Sequence, residues 1–337
     1  MKRWNTKSIF TALVLVSLAW APAYLFAGEA LSKFRLVQSG LTAMSWPIYV
    51  ARDQKFFEKN GIDFEDIIIR GATNTTRAVL SNTVPVGRIN PDYVITAIEK
   101  GAKATIISGS LEKIPYNLMA RPEIKSGVDL KGKTIGVSSL TGGTTLMLTE
   151  VMQKAFKLGE KDYSLLVVGT SPDRYAALKG GSVQATFMGP PFNIRAKQEG
   201  YSDLAVWHDY LGPIQFVATF AHNDYLKAHR KETVGYLKSI IEATQWLHDP
   251  KNKEKAIALH MKVLKSKPDI AESDYKYVIE EFKPFSLDGS LSEAGMKKTM
   301  DLRIAAGMYK GKKVPSYSEY VDTSYVEEAK KQLGMTK

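Results

Sequence analysis

Residues 134–157 read TIGVSSLTGGTTLMLTEVMQKAFK. The opening 134–138 is a β-branched, apolar run that predicts a strand. From about Gly143 to Lys157, Leu148, Val151, Met152, Ala155 and Phe156 recur on one face at helical spacing. Between the two lies Ser139-Leu140-Thr141-Gly142-Gly143-Thr144-Thr145, a loop of small polar residues. A polar turn, Asp129-Leu130-Lys131-Gly132-Lys133, leads in. Strand, glycine-containing loop and helix in this order are the start of a βαβ unit.

The same alternation extends both ways. Upstream, strands are expected at 34–38, 62–69, 84–89 and 104–108, and helices at 46–59, 75–81 and 91–100. Asn60-Gly61 stops the first of these helices, with Gly61 suited to a left-handed position. Downstream, strands are expected at 164–168, 183–188 and 215–220, and helices at 172–179 and 191–198. Beyond residue 223 the pattern is almost wholly helical, strongest at 231–248, 251–266, 271–283 and 291–309. The halves repeat a unit. Asn74-Thr75-Thr76-Arg77-Ala78-Val79-Leu80 precedes Val84-Pro85-Val86-Gly87 and Asn90-Pro91, while Ser171-Pro172-Asp173-Arg174-Tyr175-Ala176-Ala177-Leu178 precedes Val183-Gln184-Ala185-Thr186 and Gly189-Pro190. The expected fold class is α/β, with two mostly parallel sheets of like topology flanked by helices.

Residues 1–27 carry Lys2, Arg3 and Lys7, then an apolar run from Ile9 to Trp20, then small residues with Ala23 or Ala27 marking the cut. This is the layout of a secretory signal peptide, too short to span a bilayer. The protein is expected in the periplasm, where ATP and nicotinamide cofactors are scarce, so most intracellular enzyme classes are excluded. The chain has no cysteine, which rules out disulfides, a thiol nucleophile, thiolate metal ligation and a lipid on an N-terminal cysteine. Removing the leader takes the formal charge from +11 to +8. Such a charge can steer small anions, but a solvated lysine surface is the preferred reading. Its lysines are scattered and not interleaved with aromatics, so nucleic acid is not an expected partner.

In open α/β sheets ligands bind beyond the carboxyl ends of the strands. Gly71-Ala72-Thr73-Asn74-Thr75-Thr76 and the loop 139–145 occupy such places, and each opens a helix. Free backbone N–H groups, a partial positive charge and threonine hydroxyls there would cradle an anion; the same residues would also serve as ordinary caps. Candidate ligand contacts are Gly71, Thr73, Asn74, Ser139, Thr141, Gly142, Thr144 and Thr145. To these are added Ser39 after the first strand, and Met188, Gly189 and Pro190 after the strand at 183–188. Trp46 follows the first strand, opens a helix and is expected in the cleft; Tyr93, Tyr116, Phe187, Phe192 and Trp207 also lie near strand ends. Asn90 and Asp92 either meet the ligand or cap the helix at 91–100, capping being the reading preferred for Asp92. Arg77 and Arg174, one turn into their helices, could reach an anion, but solvent exposure is the preferred reading for both. No histidine pair with metal spacing, no nucleophile elbow and no phosphate-binding loop is present, so neither metal nor cofactor is expected.

The chain resembles the periplasmic solute-binding proteins of transporters for taurine, alkanesulfonates, nitrate and thiamine-pyrimidine precursors. The resemblance rests on Trp46-Pro47-Ile48-Tyr49-Val50-Ala51 leading to Phe56-Phe57-Glu58-Lys59-Asn60-Gly61-Ile62, on Asp129 to Val137, on the repeated small-residue helices at 78–80 and 176–178, and on Tyr325-Val326-Glu327-Glu328-Ala329. It departs around the short strands, where Thr83-Val84-Pro85-Val86 and Ser182-Val183-Gln184-Ala185 lack the family's acidic position, and in Gly87-Arg88-Ile89-Asn90-Pro91-Asp92. The resemblance implies a two-lobed periplasmic-binding-protein fold, with lobe one at 28–117 plus 219–337 and lobe two at 118–218. It further implies a monomer that closes by a hinge on a small anionic solute, a sulfonate or carboxylate with room for an aromatic body. Its partners would be a membrane permease and that permease's ATPase. Two other readings stand beside this one. A pyrimidine synthase of the same fold depends on a cysteine-rich motif that this chain lacks; a ligand-sensing subunit for a membrane receptor is not separable by sequence.

Overall fold

The computed structural model describes Met1 and residues 30–335. The signal-peptide reading of residues 1–27 therefore lies outside the described residues, Met1 apart. Among the described residues ten strands are formed: β1 (Ser32–Gln38), β2 (Ile62–Ile68), β3 (Val86–Ile89), β4 (Ala104–Leu111), β5 (Asn117–Ala120), β6 (Thr134–Val137), β7 (Ser164–Val167), β8 (Ala185–Met188), β9 (Ser202–Val206) and β10 (Val217–His222). They make two five-stranded sheets, ordered β2-β1-β3-β10-β4 and β7-β6-β8-β5-β9.

The two orders are the same order. β2, β1 and β3 correspond to β7, β6 and β8, and in each sheet the fourth strand runs against its neighbours. β10 is antiparallel to β3 and β4, and β5 is antiparallel to β8 and β9. The expectation of mostly parallel sheets holds for the other strands and is corrected at these two. Sequence reading also missed β5 and β9. β5 is a four-residue, wholly buried NLMA segment with no alternation to reveal it, and β9 begins on Ser202-Asp203.

Helices cover both faces of each sheet, so the central strands read as continuous apolar runs. On the first sheet Phe34, Phe57, Phe64 and Tyr236 form a stacked row, with Phe57 and Phe64 centroids 3.9 Å apart and Phe34 and Tyr236 4.7 Å apart. Tyr236 belongs to the helix Arg230–His248, which lies on the helix Trp46–Asp53. The C-terminal helices mainly cover the first sheet. The helix Pro268–Tyr275 also lies against Phe192–Gln198, and Glu293–Ala305 against Gly143–Phe156, both beside the second sheet. No helix among the described residues is long and apolar enough to cross a membrane.

The chain passes from the first sheet to the second between β4 and β5 and returns between β9 and β10. The carboxyl ends of β1, β2 and β3 on one sheet, and of β6 and β7 on the other, therefore meet across one space.

Candidate functional site

That space is a cavity of about 120 Å³. The first sheet contributes Gln38 to Ser45 after β1, Gly71 and Ala72 after β2, Arg88 to Asn90 and Tyr93 from β3 and the helix it feeds, and Phe216 and Val217 at β10. The second contributes Tyr116, Ser138, Thr144 and the segment Gly169-Thr170-Ser171-Pro172 with Arg174.

Two guanidiniums define its electrostatics. Arg88 sits inside β3 and is 8% exposed; Arg174 lies in the first turn of the helix Ser171–Lys179 and is 2% exposed. Arg88 donates to the Met44 carbonyl at 2.7 Å, to Ser110 Oγ at 3.2 Å and to Ser45 Oγ at 3.3 Å. Arg174 donates to the Phe187 carbonyl at 2.9 Å, to Ser171 Oγ at 3.2 Å and to the Gly169 carbonyl. Its guanidinium carbon stands 4.1 Å over the Phe187 ring. Among the described residues neither arginine has a carboxylate within 4.0 Å. Three of the five N–H groups of each guanidinium go to the carbonyls and hydroxyls just named, Tyr116 also supports the charged form of Arg174, and neither charge is directly paired with a carboxylate. Burial pushes both below the ordinary arginine value, since the charged form has lost water.

Four expected contacts line the cavity: Ser39, Gly71, Asn90 and Thr144. Eleven do not. Trp46 is fully buried away from it, 4.5 Å from the His260 ring and 5.9 Å from Tyr275. It opens a helix whose buried face turns to the C-terminal helices, which its own sequence context does not reveal. Thr73 and Asn74 are exposed, and Asn74 Nδ2 turns back to the Arg70 carbonyl. Asp92 is ion-paired with Arg303, while Asn90 caps the helix Pro91–Glu99, accepting from Asp92 N at 3.0 Å. The preferred assignment of that cap to Asp92 is thus corrected. Met188 is fully buried, Gly189 abuts Tyr116, and Pro190 is buried ahead of a cis bond to Pro191.

The helix after the loop 139–145 has no side-chain cap, and the loop's hydroxyls are engaged within the protein. That helix is preceded by Gly142 at φ +112°. Thr145 Oγ1 donates to the Ser139 carbonyl, Ser139 Oγ donates to the Thr141 carbonyl, and Thr144 Oγ1 shares a 2.8 Å hydrogen bond with Ser138 Oγ. The loop instead meets the first half of the fold. Ser139 Oγ is 2.9 Å from Tyr93 Oη, Gly142 lies against the Tyr93 ring, and Gly143 lies against Asn90 and Asp92.

Sequence reading missed Arg88 and placed Arg174 in solvent. A signal existed for each. Arg88 is the lone charge in an otherwise apolar strand, and 169–172 follows a strand end as the two chosen loops do. Away from the cavity, His260 bridges Ser266 Oγ and Asp274 Oδ2, both at 2.8 Å. All three residues are at most 8% exposed and none lines the cavity, so this array has no room for a substrate.

YtlA of Bacillus subtilis is 24% identical over 302 residues, covering 87% of this chain and 89% of its own. The alkanesulfonate-binding protein SsuA of Xanthomonas axonopodis, solved with MOPS bound, superposes at a TM-score of 0.69 with 16% identity, covering 89% of this chain and 98% of its own. The desulfurization enzyme DszB shares the fold at a TM-score of 0.62 and 11% identity, with 90% and 99% covered. The two-lobed fold is that of periplasmic binding proteins. Residues 43–253 match the NMT1/THI5-like family, and the chain belongs to that family.

Proposed function

We propose that the protein is the extracytoplasmic solute-binding subunit of an ABC importer and that it captures a small organic anion, a sulfonate or carboxylate, between Arg88 and Arg174. The observation that carries this reading is the pair of buried guanidiniums, one beside each sheet, neither with a carboxylate within 4.0 Å among the described residues. Charge-assisted hydrogen bonds to such groups are strong, and a low-dielectric site amplifies them. The alkanesulfonate bound by the structural neighbour supports the same chemistry.

Size narrows the class. An apolar cavity of about 150 Å³ holds one benzene; this one is about 120 Å³. By that comparison the space takes a short organic anion of roughly five or six non-hydrogen atoms. The lining offers hydroxyls, amides, aromatic rings and guanidiniums, with no carboxylate or imidazole to act as a base. That supports capture over turnover. We place the hinge at the two sheet crossings, with lobe one at 28–117 plus 219–337 and lobe two at 118–218, and the permease with its ATPase as the partner of the closed form. Export to the periplasm would remove residues 1–23 or 1–27, leaving a mature end after Ala23 or Ala27 in a mass spectrum of periplasmic extract.

Calorimetry with ethanesulfonate, taurine, acetate and benzenesulfonate tests the reading. Ethanesulfonate or taurine should bind, and Arg174→Met should weaken binding by roughly 10- to 150-fold, the span of hydrogen bonds to charged groups. No binding across the panel, or steady conversion of a ligand to product by chromatography, would overturn it.

A further inference from the structure

Behind Arg88 lies a carboxylate that does not touch the cavity. Asp66, in β2, has a side chain only 5% exposed. Gln38 Nε2 donates to both its oxygens, at 3.0 and 2.9 Å. That bond fixes the Gln38 amide, so its Oε1 accepts from Ser45 Oγ at 2.6 Å. Ser45 Oγ in turn accepts from Arg88 Nη1 at 3.3 Å. Gln38, Ser45 and Arg88 all line the cavity. The chain Asp66–Gln38–Ser45–Arg88 therefore connects a buried negative charge to one of the two ligand-facing positive charges through two neutral side chains of fixed orientation.

We propose that Asp66 is a positioning residue that sets the affinity of the anion site by partly offsetting the charge of Arg88, so that neutralising Asp66 tightens anion binding. This rests on the anion reading above. The groups facing Asp66 are Arg52, 3.7 Å away on the helix Trp46–Asp53, Tyr49 on the same helix, Gln38 on β1, Arg88 on β3 and Tyr236 on Arg230–His248. Arg52 is 54% exposed, so it keeps its water when Asp66 loses its charge. Burial holds the Asp66 carboxyl above the ordinary carboxylate range, against the lowering effect of Gln38, Arg52 and Arg88. As pH falls through that raised value the carboxylate takes a proton, the offset disappears and a permanently ionised anion binds more tightly. By linkage, anion binding takes up protons in the same interval. The cavity lining itself has no group that titrates between neutrality and the carboxylate range.

The experiment is calorimetry of ethanesulfonate with the full mature chain, run from pH 8 to pH 4 in buffers of differing ionisation enthalpy, on wild type, Asp66→Asn and Arg88→Met. Asparagine keeps an acceptor for Gln38 and removes the charge. Asp66→Asn should bind roughly three- to tenfold tighter than wild type at pH 8, the scale of one removed like charge at an effective dielectric of about 20. Wild type should tighten towards acid with proton uptake, and Asp66→Asn should do neither. A loss of packing alone would weaken binding. Affinity of Asp66→Asn equal to or below wild type, in a protein with native circular dichroism, overturns the proposal. If that variant does not fold, a wild-type profile without acid tightening or proton uptake overturns it. Ethanesulfonate that fails to bind wild type, or that binds Arg88→Met equally well, overturns the anion-site reading instead.

Discussion

Gly143 lies against Asn90 and Asp92 of the other half of the fold beside the cavity, and replacing it by alanine is a sharp test of closure. A Cβ there would lie 2.3 Å from Asn90 Oδ1, 2.9 Å from Asp92 Cβ and 3.0 Å from Asn90 Cγ. These atoms cannot swing aside. Asn90 is held at both ends, donating to the Phe216 carbonyl at 3.0 Å and accepting from Asp92 N at 3.0 Å. Asp92 is fixed by Arg303. Forcing an extra carbon into such a contact costs about 1–3 kcal/mol, which is roughly a 5- to 150-fold loss of affinity if the contact exists only in the closed form. Within its own helix an alanine is neutral to favourable. Gly143→Ala should therefore weaken ethanesulfonate binding in calorimetry by that range while the melting temperature of the unliganded protein stays near wild type. Affinity within about twofold of wild type would refute the reasoning, because the methyl cannot be housed with Asn90 in place. A lowered melting temperature with unchanged affinity would mean a permanent interface and would refute closure at this contact.

Four further outcomes are expected. Ligand binding should change the fluorescence of Trp207, whose ring is 4.6 Å from Phe187, the ring under Arg174; Trp207→Phe should abolish the response and Trp46→Phe preserve it. Arg303→Met should destabilise the fold by about 3–5 kcal/mol in urea unfolding, since it leaves Asp92 buried without its cation. Burial raises the Asp274 carboxyl above its ordinary 3.8, so the folded state holds that proton where the unfolded chain has lost it; the stability of wild type relative to Asp274→Asn should rise as pH falls from 7 through the raised value, read as melting temperature. Arg77 is exposed, so Arg77→Met should leave ethanesulfonate affinity unchanged in the same calorimetry that registers Arg174→Met.

The fold was legible because its signals are local. Glycine and proline punctuate the chain, apolar runs mark central strands, and the repeated unit at 74–91 and 171–190 corresponds to two sheets with one strand order. What escaped were the strands β5 and β9, and the antiparallel direction of β5 and β10, which depends on where the chain crosses between sheets and not on composition. The site was legible in place but not in chemistry. The rule of strand ends led to Ser39, Gly71, Asn90 and Thr144. It could not show that Thr75, Thr76 and Thr145 spend their hydroxyls on carbonyls at 2.9, 2.9 and 2.7 Å, because such bonds depend on backbone paths. Trp46 was misplaced because the residues that cover it, His260 and Tyr275, come more than two hundred positions later.

The arginines show why the repeat misleads at the level of function. Aligning the two units pairs Arg77 with Arg174, yet only Arg174 is buried at the cavity, and the first half supplies Arg88 instead. The reason is energetic. A guanidinium buried in the middle of a sheet loses its hydration, and a neighbouring carboxylate would ordinarily offset the loss. Here carbonyls and hydroxyls take three N–H groups of each arginine, which limits the desolvation cost without cancelling the charge. A carboxylate in direct contact would make the empty site more stable and would compete with any anion that entered. Setting Asp66 two side chains away from Arg88 keeps part of the electrostatic benefit to the fold without pairing the guanidinium directly. A lone arginine in the run Val86-Gly87-Arg88-Ile89, followed by the cap Asn90, is thus the sequence trace of a site that keeps its charge for the solute.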